Sequence, residues 1–275
     1  MRILNSRSDG FHDIRSLFQE ISLHDTVHII AKPGNGNISL TCKDYRVPSD
    51  SSNLAWKAAA RFLSLSEENL DIEIDLVKRI PSEAGLGGGS SDAAAVLLGL
   101  RTLTARPTLD LSGAASALGS DVPFFLHGGT ALIEGRGERI IPVPSVPFHA
   151  VLLHPSVTVS TAWAYNAWDG MRTSLTNNGI LKHYSASSAV WHEGKIFPHN
   201  LWNDFLPLLE KHFPEIEELA RFLRNSCENW GLSGSGPTFY ALFRMKSEAV
   251  SFSQILTGNY TLCRSAETAG ASSNG

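Results

Sequence analysis

A glycine-rich stretch between a predicted strand and a predicted helix is the most informative part of this sequence. The stretch reads Pro81-Ser82-Glu83-Ala84-Gly85-Leu86-Gly87-Gly88-Gly89-Ser90-Ser91-Asp92. Because four of the five residues from 85 to 89 are glycine, the backbone can adopt positive φ angles and approach a ligand closely. The serines and the aspartate then open a helix, whose free N–H groups and dipole favour an anion. The stretch therefore predicts a loop in which main-chain amides hold phosphate groups.

Two common phosphate-binding patterns do not match this stretch. A Walker A loop requires G-x-x-x-x-G-K-[ST], which occurs nowhere in the chain. The dinucleotide fingerprint requires a third glycine, where this sequence has Ser90. The alternative to phosphate binding is a flexible loop in which Ser90 simply caps the helix. Clustered glycines argue against that alternative, because each costs up to ~1 kcal/mol relative to alanine and has no side chain to pack.

The segments around the glycine-rich stretch show clear periodicity. Alternation of apolar and acidic residues predicts a half-buried strand over Leu70–Val77, and an apolar run predicts a buried helix over Ala93–Leu100. Further upstream, a serine-rich cap predicts a helix over Leu54–Leu63. Two β-rich runs, Thr26–Ile30 and Asn37–Cys42, flank a glycine-bearing turn and predict a β-hairpin. These elements indicate that the loop joins a sheet to a buried helix.

The second half of the chain contains a separate set of helices and strands. Three prolines between residues 142 and 147 predict a linker, so we place a domain boundary near residue 145. The elements predicted beyond it are helices over Thr161–Trp168, Asn203–Lys211, Glu215–Cys227 and Ser247–Leu256, and strands over Phe148–His154, Asn229–Leu232, Thr238–Arg244 and Tyr260–Ser265. They end in a β-α-β-β-α-β-like order. We therefore expect an α+β fold with domains over residues 1–145 and 146–267, and a disordered tail over residues 268–275.

Composition and charge exclude several classes of function. With 23 basic and 27 acidic residues the net charge is −4, and no sustained basic patch is present, so nucleic acid is not an expected partner. Three scattered cysteines without a C-x-x-C motif argue against a disulfide framework and a cysteine zinc site. No apolar run approaches a membrane span, and the N-terminus has no hydrophobic signal core. We expect a cytoplasmic, soluble protein without a metal site of its own.

Three further motifs, in a consistent order and spacing, indicate a family. They are Arg7-Ser8-Asp9-Gly10-Phe11-His12-Asp13-Ile14, Leu118-Gly119-Ser120-Asp121-Val122-Pro123-Phe124-Phe125 and Gly231-Leu232-Ser233-Gly234-Ser235-Gly236-Pro237-Thr238. Together with the loop they resemble the GHMP kinases, the superfamily of galactokinase, homoserine kinase, mevalonate kinase and phosphomevalonate kinase. The resemblance implies the two-domain GHMP kinase fold. Its N-terminal domain is similar to domain 2 of ribosomal protein S5, and its C-terminal domain is a ferredoxin-like α/β-plait.

Within the superfamily, the first two of these motifs resemble those of kinases for a cytidine-diphosphate-linked methylerythritol. The resemblance implies ATP-dependent phosphorylation of the 2-hydroxyl of 4-(cytidine 5'-diphospho)-2-C-methyl-D-erythritol, in the non-mevalonate route to isoprenoid precursors. Mg²⁺ is expected to accompany ATP, because the transferred charge needs a counter-ion. Two alternatives stay open: another GHMP kinase of the homoserine or mevalonate type, and a nucleotide-binding relative with impaired catalysis. We expect a monomer or a homodimer with no membrane partner.

The resemblance assigns Asp121 as the catalytic residue and Pro81–Ser91 as the ATP-binding loop. In the family the matching aspartate is the base on the substrate hydroxyl, whereas the residues alone make a helix cap before Pro123 an equal alternative. Asn53 lies where the family contacts the adenine nucleotide. Lys78, further along the chain, is assigned to the same nucleotide. A helix cap and a solvated charge at a strand end are the respective alternatives for these two residues.

Four residues are assigned to the acceptor by the same resemblance. In the family an aromatic residue and a following histidine contact the cytosine, and the matching pair here is Phe11 and His12. Phenylalanine keeps the stacking but lacks the phenol hydrogen bond of the usual tyrosine. Tyr165 falls where the family offers a second aromatic face, and Thr161 where it has a substrate-contacting threonine. The alternatives are a strand-edge aromatic, a solvated histidine, core packing and helix capping, respectively.

One part of the family pattern is missing from this chain. The family begins with a strand of the type P-A-K-I-N-L, whose lysine partners the catalytic aspartate, whereas this chain starts at Met1-Arg2-Ile3-Leu4. The first lysine is Lys32, beside the predicted hairpin turn. We therefore expect either a start placed too late or a chain that is incomplete as an enzyme, and we assign no catalytic lysine. The turn over residues 234–236 is expected to close over the substrate or to be a plain hairpin turn.

Overall fold

The computed structural model describes residues 1–44, 46–177, 191–192, 195–196, 201–256 and 264–267. The strands within these residues are β1 Arg2–Ser6, β2 His12–Gln19, β3 Thr26–Pro33, β4 Ile38–Cys42, β5 Leu70–Val77, β6 Thr130–Gly135, β7 Arg139–Pro142, β8 His149–Leu153, β9 Trp191–His192, β10 Lys195–Ile196, β11 Trp230–Leu232, β12 Phe239–Phe243 and β13 Arg264–Glu267. The helices are α1 Leu54–Ser66, α2 Gly88–Leu103, α3 Ser112–Leu118, α4 Val122–His127, α5 Thr161–Asn177, α6 Leu206–His212, α7 Pro214–Ser226 and α8 Lys246–Ile255.

A three-stranded sheet, in the order β3-β5-β4, supports the glycine-rich loop. Along β5 the residues Ile72, Ile74 and Leu76 are buried while the residues between them are exposed, so the predicted half-buried strand is confirmed. The buried face packs against α1 and α2 in a core that includes Phe62 and Leu97. Because β5 leads into the loop and α2 leads out of it, this core carries the loop at both ends.

The predicted β-hairpin over Thr26–Ile30 and Asn37–Cys42 is wrong. Strand β5 lies between β3 and β4, antiparallel to the first and parallel to the second. The link between β3 and β4 is held on β5 by Asp71, whose Oδ1 accepts hydrogen bonds of 2.9 Å from the backbone N–H groups of Asn35 and Asn37. The physical reason is that β5 needs ladder partners on both of its edges, and a local turn signal does not show this need.

Helix α2 begins earlier than the sequence patterns predict. The residues expected to open it were Ser90, Ser91 and Asp92, but the helix starts at Gly88. The N-cap is Gly87, which has φ 69° and makes no side-chain capping bond, so Ser90 is not the cap. Glycine reaches this left-handed conformation without steric cost, and the chain can therefore turn directly from loop into helix. The free N–H groups of the first turn lie at the end of the glycine-rich stretch.

The four-stranded sheet β1-β2-β6-β7 brings two of the sequence motifs close together. Its neighbouring strands are all antiparallel. Strand β2 begins at His12 and pairs with β6 from Ile14 to Gln19. Strand β6 follows α4, which begins immediately after Asp121. The N-terminal motif therefore lies beside the segment that contains Asp121.

The second four-stranded sheet has the order β11-β12-β8-β13 and is also antiparallel throughout. Helices α5 to α7 separate β8 from β11, and α8 separates β12 from β13, so the predicted α+β, ferredoxin-like order is confirmed. Helix α5 runs from Thr161 to Asn177, beyond the predicted end at Trp168. The core of this half includes Phe205 and Phe239, and Ile3 of β1 packs into it as well.

Several predictions fall partly or wholly outside the described residues. The last strand was predicted over Tyr260–Ser265, and the structure describes β13 over Arg264–Glu267 but not residues 257–263. The tail over residues 268–275 is also outside the described part. The domain boundary near residue 145 falls between β7 and β8 and stays a prediction. Among the helices of the described ranges, none is long and apolar enough to cross a membrane.

Candidate active site

A cavity of about 320 Å³ lies where the glycine-rich loop, β2 and the C-terminal sheet meet. Its walls include residues 16–20 from β2 and its end, residues 85–87 of the loop and residues 232–234 of the second glycine-rich motif. Ser91 and Asp121 line the same cavity. The glycine-rich loop, the segment with Asp121 and the second glycine-rich motif, which are far apart in the chain and were each singled out by a sequence motif, therefore share one site.

The glycine-rich loop packs against neighbouring groups that leave no room for side chains. At Gly85 φ is 71°, and a Cβ would lie 2.5 Å from the carbonyl oxygen of Gly236 and 2.6 Å from that of Ser233. At Gly87 a Cβ would lie 2.7 Å from the ring of Phe125. Real Cβ atoms do not approach other atoms so closely, so the protein itself requires glycine at both positions, before any ligand is considered.

The turn over residues 233–236 joins β11 to β12 and packs on the loop. Oγ of Ser233 donates a hydrogen bond of 2.8 Å to the carbonyl oxygen of Gly85. Oγ of Ser235 lies 2.9 Å from Oγ1 of Thr161, the first residue of α5. The turn is therefore both the hairpin turn of β11 and β12 and a bridge between the predicted ATP loop and a predicted acceptor residue.

Asn203 holds this turn from the other side, and sequence reasoning missed it. Nδ2 of Asn203 donates to the carbonyl oxygens of Leu232 and Gly234, at 2.9 and 2.8 Å. The side chain is buried. The sequence pattern placed Asn203 at the start of a helix, but α6 begins at Leu206. No local signal distinguishes an asparagine that starts a helix from one that also bridges two distant carbonyl groups.

Asp121 lies at the start of α4 but does not cap it. Its side chain makes no capping hydrogen bond, so the alternative of a plain helix cap does not describe this residue. In the part of the chain that the structure describes, the carboxyl group has no hydrogen-bond or ion-pair partner. Burial raises the pKa of this carboxyl group above its ordinary value. Once ionised, it is therefore a stronger base than an exposed aspartate.

Two predicted acceptor residues, His12 and Tyr165, are stacked on each other, with ring centroids 4.8 Å apart. Nε2 of His12 lies 2.8 Å from Oδ1 of Asp169, and the imidazole side chain is only 8% exposed. Because a carboxylate only accepts, Nε2 carries the hydrogen and donates it. Sequence reasoning missed Asp169, although its position four residues after Tyr165 on α5 places both on one face of the helix.

Tyr165 links this stacked pair to Asp121. Burial, and after it the negative charge of Asp121, raise the pKa of the phenol to about 12. The ring also packs edge-on against Phe205, with centroids 4.9 Å apart. Tyr165 therefore packs in the core, which was the alternative to a substrate role. It also lies close enough to Asp121 to be affected by the charge of that residue.

Phe11 lies in the turn before β2 and is 45% exposed. The guanidinium group of Arg136, from the turn between β6 and β7, lies over its ring at 4.8 Å from the centroid. Such a cation is attracted by the face of an aromatic ring. The exposed ring and the cation together form a surface suited to a flat group with a neighbouring negative charge.

Asn53 and Lys78, predicted to contact the adenine nucleotide, have protein partners in the structure. Asn53 is the N-cap of α1, where its Oδ1 accepts from the N–H of Ala55 at 2.9 Å and its Nδ2 donates to the carbonyl oxygen of Pro48 at 2.7 Å. Lys78 is not a solvated charge, since its side chain is 7% exposed and its ammonium group is paired with two buried carboxylates. A nucleotide contact of either residue stays a prediction.

Two family models match the chain on the two sides of the cavity. The model of the GHMP kinases N terminal domain matches residues 53–129, which contain the glycine-rich loop and Asp121. The model of the GHMP kinases C terminal matches residues 195–261, which contain the turn that packs on the loop. The fold, the loop and both family models agree, so the chain is a GHMP kinase and the fold expected from its motifs is confirmed.

Comparison with individual proteins identifies the family, within the GHMP kinases, to which this chain belongs. A 4-diphosphocytidyl-2-C-methyl-D-erythritol kinase of Solibacter usitatus is 40% identical over 254 residues, which are 89% of this chain and 78% of the relative. A kinase of the same name from Geobacter sulfurreducens is 38% identical over 259 residues, 92% and 89% of the two chains. A crystal structure of 4-(cytidine 5'-diphospho)-2C-methyl-D-erythritol kinase matches with a TM-score of 0.74 at 30% identity, covering 98% of this chain and 95% of that one. This chain belongs to the family of 4-diphosphocytidyl-2-C-methyl-D-erythritol kinases.

Proposed function

We propose that the chain transfers the γ-phosphoryl group of ATP to the 2-hydroxyl of 4-(cytidine 5'-diphospho)-2-C-methyl-D-erythritol, in the non-mevalonate route to isoprenoid precursors. Membership of the family supports this substrate. The observation that carries the proposal is the shared cavity, because Asp121 lines it together with residues 85–87 and Ser91. Phosphoryl transfer consists mainly of positioning and charge stabilisation, so a phosphate loop and a base must meet in one place.

The nucleotide side of this proposal uses the backbone of the loop. The free N–H groups at the start of α2 and the positive end of its dipole favour the phosphates of ATP. Mg²⁺ is expected to arrive with ATP and to neutralise charge on the transferred group. The hydroxyl groups of Ser90 and Ser91, in the first turns of α2, are oxygen donors of the kind that this cation prefers.

Asp121 is proposed to accept the proton of the acceptor hydroxyl. Because burial raises its pKa, the ionised carboxylate binds a proton more strongly than an exposed aspartate does. The phenol of Tyr165, with a pKa of about 12, stays protonated and neutral near it at physiological pH. Of these two residues, Asp121 is therefore the one whose charge changes in the proposed reaction.

The acceptor side is proposed to select cytosine through Phe11 and His12, with Tyr165 and Thr161 next to them. The exposed ring of Phe11 can stack on a base. Since Nε2 of His12 donates to Asp169, a neutral imidazole presents Nδ1 as an acceptor, which suits an exocyclic amino group. Thr161 and Ser235 offer hydroxyl groups at the start of α5.

Two other candidates remain to be tested against this one. A kinase of the homoserine or mevalonate type acts on an acceptor without cytosine, which would leave Phe11 and His12 without a role in recognition. A relative with impaired catalysis would keep the loop and bind ATP without transferring its phosphoryl group. The three candidates differ in what they bind and what they turn over, so one assay separates them.

The test is a panel of acceptors with the intact protein. The protein is incubated with ATP and Mg²⁺ and with the cytidine-diphosphate-linked methylerythritol, mevalonate or homoserine, and phosphorylated products are detected by mass spectrometry. We expect turnover of the first acceptor alone, and its loss when EDTA removes Mg²⁺. Selective turnover of mevalonate or homoserine would replace the proposed substrate. Saturable ATP binding without turnover of any acceptor would establish the impaired relative instead.

We further propose that the enzyme acts in the cytoplasm on small dissolved substrates, without a nucleic-acid or membrane partner. The net charge of −4 and the absence of a sustained basic patch in the sequence support the first of these exclusions. A monomer and a homodimer are both compatible with the sequence, and light scattering after size-exclusion chromatography distinguishes them.

A further inference from the structure

Three buried charged residues lie beneath the phosphate loop and take no part in the proposed chemistry. Nζ of Lys78 donates to Oδ2 of Asp92 at 2.7 Å and also to Oδ2 of Asp25. The side chains of Lys78, Asp25 and Asp92 are 7%, 1% and 5% exposed. Charged groups are rarely buried so completely, because their removal from water is costly unless they are paired. We call these three residues the buried triad.

The buried triad joins three elements that meet at the loop. Lys78 follows the end of β5, Asp25 precedes β3, and Asp92 lies in α2. Oδ1 of Asp25 also accepts hydrogen bonds from the backbone N–H groups of Arg79 and Ile80, at 2.5 and 2.9 Å. Asp25 therefore holds the backbone that enters the loop and, through Lys78, is connected to the helix that leaves it.

The ion pair between Lys78 and Asp92 closes the loop at its base. Residues 79–91 lie between these two partners. The ammonium group also lies directly under the first turn of α2, since a Cβ on Gly88 would be 3.3 Å from Nζ of Lys78. A loop whose ends are joined samples fewer conformations, so less order has to be imposed when a ligand binds. The two ends are thus held together before a nucleotide arrives.

The protonation states support a persistent ion pair. Burial raises the pKa of Asp92 to about 6, although Lys78 opposes the shift. Burial lowers the pKa of Lys78, but the two carboxylates outweigh it and raise this pKa above its ordinary value. Near neutral pH the lysine is therefore charged, and it faces two carboxyl groups that accept its hydrogen bonds. In this arrangement the ammonium group is directed at protein carboxylates.

We propose that Asp25, Lys78 and Asp92 are positioning residues that hold the ATP loop in its phosphate-binding shape without contacting the phosphates themselves. The proposal rests on the proposed function, because it takes residues 81–91 as the ATP-binding loop. It makes the opposite prediction from a direct phosphate contact of Lys78. If Lys78 held a phosphate, removing the charge of Asp92 would free the ammonium group and preserve or strengthen ATP binding. A positioning role requires that the same change weakens it.

The decisive variant is Asp92→Asn, which keeps the shape of the side chain and removes its charge. Binding of ATP and of the cytidine-diphosphate-linked acceptor is measured separately by calorimetry, and KM and kcat by steady-state kinetics. We expect the Kd and KM for ATP to rise about tenfold or more, while the acceptor Kd and the kcat at saturating ATP change by less than about threefold. Lys78→Met is expected to weaken ATP binding at least as much, since it breaks the contacts to both Asp92 and Asp25, and the double variant should add little to it because both changes break the contact between Lys78 and Asp92.

Lys32→Met is the matched control. Lys32 pairs with Glu73 across β3 and β5 of the same sheet, and these side chains are 57% and 48% exposed. The variant removes a lysine and its ion pair, as Lys78→Met does, but at the surface. We expect an unchanged Kd for ATP, because exposed ion pairs contribute little. If the loss of any positive charge weakened ATP binding, the Kd for ATP would rise equally in Lys32→Met and Lys78→Met. That result would contradict the proposal.

Hydrogen exchange of the unaltered protein covers the case in which the variants of the buried triad fail to fold. Without ATP, the amides of Arg79 and Ile80 are expected to exchange at least about 100-fold more slowly than free peptide. Fast exchange of both amides would overturn the proposal, and so would an unaltered Kd for ATP in Asp92→Asn. If the unaltered protein bound no ATP at all, the proposed function would fail first, and the positioning role with it.

Discussion

The proposed nucleotide-binding part of the site is built from backbone, whereas the proposed acceptor-binding part, whose residues do not line the described cavity, is built from side chains that distant segments bring together. On the nucleotide side, Gly85 and Gly87 fit against neighbouring groups with no space for a Cβ. On the acceptor side, His12 stacks on Tyr165 and donates to Asp169, which is 157 residues away in the chain. The nucleotide-binding part depends on the steric fit of the backbone, and the acceptor-binding part depends on the orientation of particular side chains.

This difference determines how each side should respond to substitution. A side chain added to the loop creates a steric overlap and is expected to weaken ATP binding more than acceptor binding. A polar partner removed from the acceptor side reorients one ring and is expected to affect the acceptor alone. Asp121 belongs to both sides, because it lines the cavity with the loop and its charge affects Tyr165. Since its proposed role is to accept a proton, substitution of Asp121 should affect the chemical step rather than either binding event.

Asp121→Asn is expected to lower kcat by about 10²- to 10⁴-fold, the usual contribution of a positioned acid or base. Asparagine keeps the size of the side chain but cannot accept the proton of the acceptor hydroxyl. The Kd values of ATP and acceptor should change by less than about twofold, which calorimetry can check on the same sample. Near-normal turnover of the variant would remove Asp121 from the mechanism.

Gly85→Ala is expected to raise the Kd for ATP by at least about tenfold. The left-handed backbone costs a non-glycine residue roughly 1–2 kcal/mol, and overpacking against two carbonyl oxygens adds about 1–3 kcal/mol, so the loop must shift. The Kd for the acceptor should stay within about threefold. Gly113→Ala is the control, because Gly113 lies in α3 with nothing within 4 Å of a Cβ, and this change should leave ATP binding intact. Equal effects of the two variants would contradict the steric account.

Asp169→Asn is expected to raise the KM for the acceptor about three- to tenfold, the worth of one hydrogen bond, with the KM for ATP unchanged. An asparagine can turn its amide N–H₂ toward His12, so the imidazole would carry its hydrogen on the other nitrogen. Steady-state kinetics with each substrate varied in turn measures the effect. Ser6→Ala is the control, since Ser6 also donates to Asp169, at 3.2 Å, but from an exposed position. A changed KM for ATP in Asp169→Asn would show that the nucleotide-binding and acceptor-binding parts do not respond independently.

The smallest expected effect is on stability. Because burial raises the pKa of Asp121, protonation favours the folded state, and this contribution is lost as the pH rises from about 3.8 through the raised value. At pH 7 the ionised Asp121 carboxylate therefore destabilises the fold. Asp121→Asn should raise the Tm at pH 7, and the difference should shrink as the pH falls toward 4. Thermal unfolding across this range measures it, and an equal Tm at every pH would show that burial of the charge has no cost.

Local patterns predicted much of the fold, because they report properties of contiguous residues. The alternation along Leu70–Val77 indicated a strand with one buried face, and the structure confirms it. Asn53 was recognised as a helix cap, one of its two interpretations, since capping involves only its near neighbours. The glycine-rich stretch was predicted to bind phosphate from its backbone freedom and from the helix start that follows it, and together with three other motifs it identified the GHMP kinase family.

The remaining features depend on partners that no local pattern connects. The position of β5 between β3 and β4 followed from its need for two ladders, so the predicted hairpin failed. The sequence suggested that Lys78 is a solvated or nucleotide-binding charge. In the structure it is buried and paired with two carboxylates, one of which is Asp25, 53 residues earlier in the chain. Asn203 and Asp169 could not be identified from the sequence, because their hydrogen-bond partners Gly234 and His12 are distant in the chain and lie beside them only in the folded protein. Periodicity and backbone freedom act within a few residues, whereas burial and hydrogen bonding between distant segments arise only after the chain has folded.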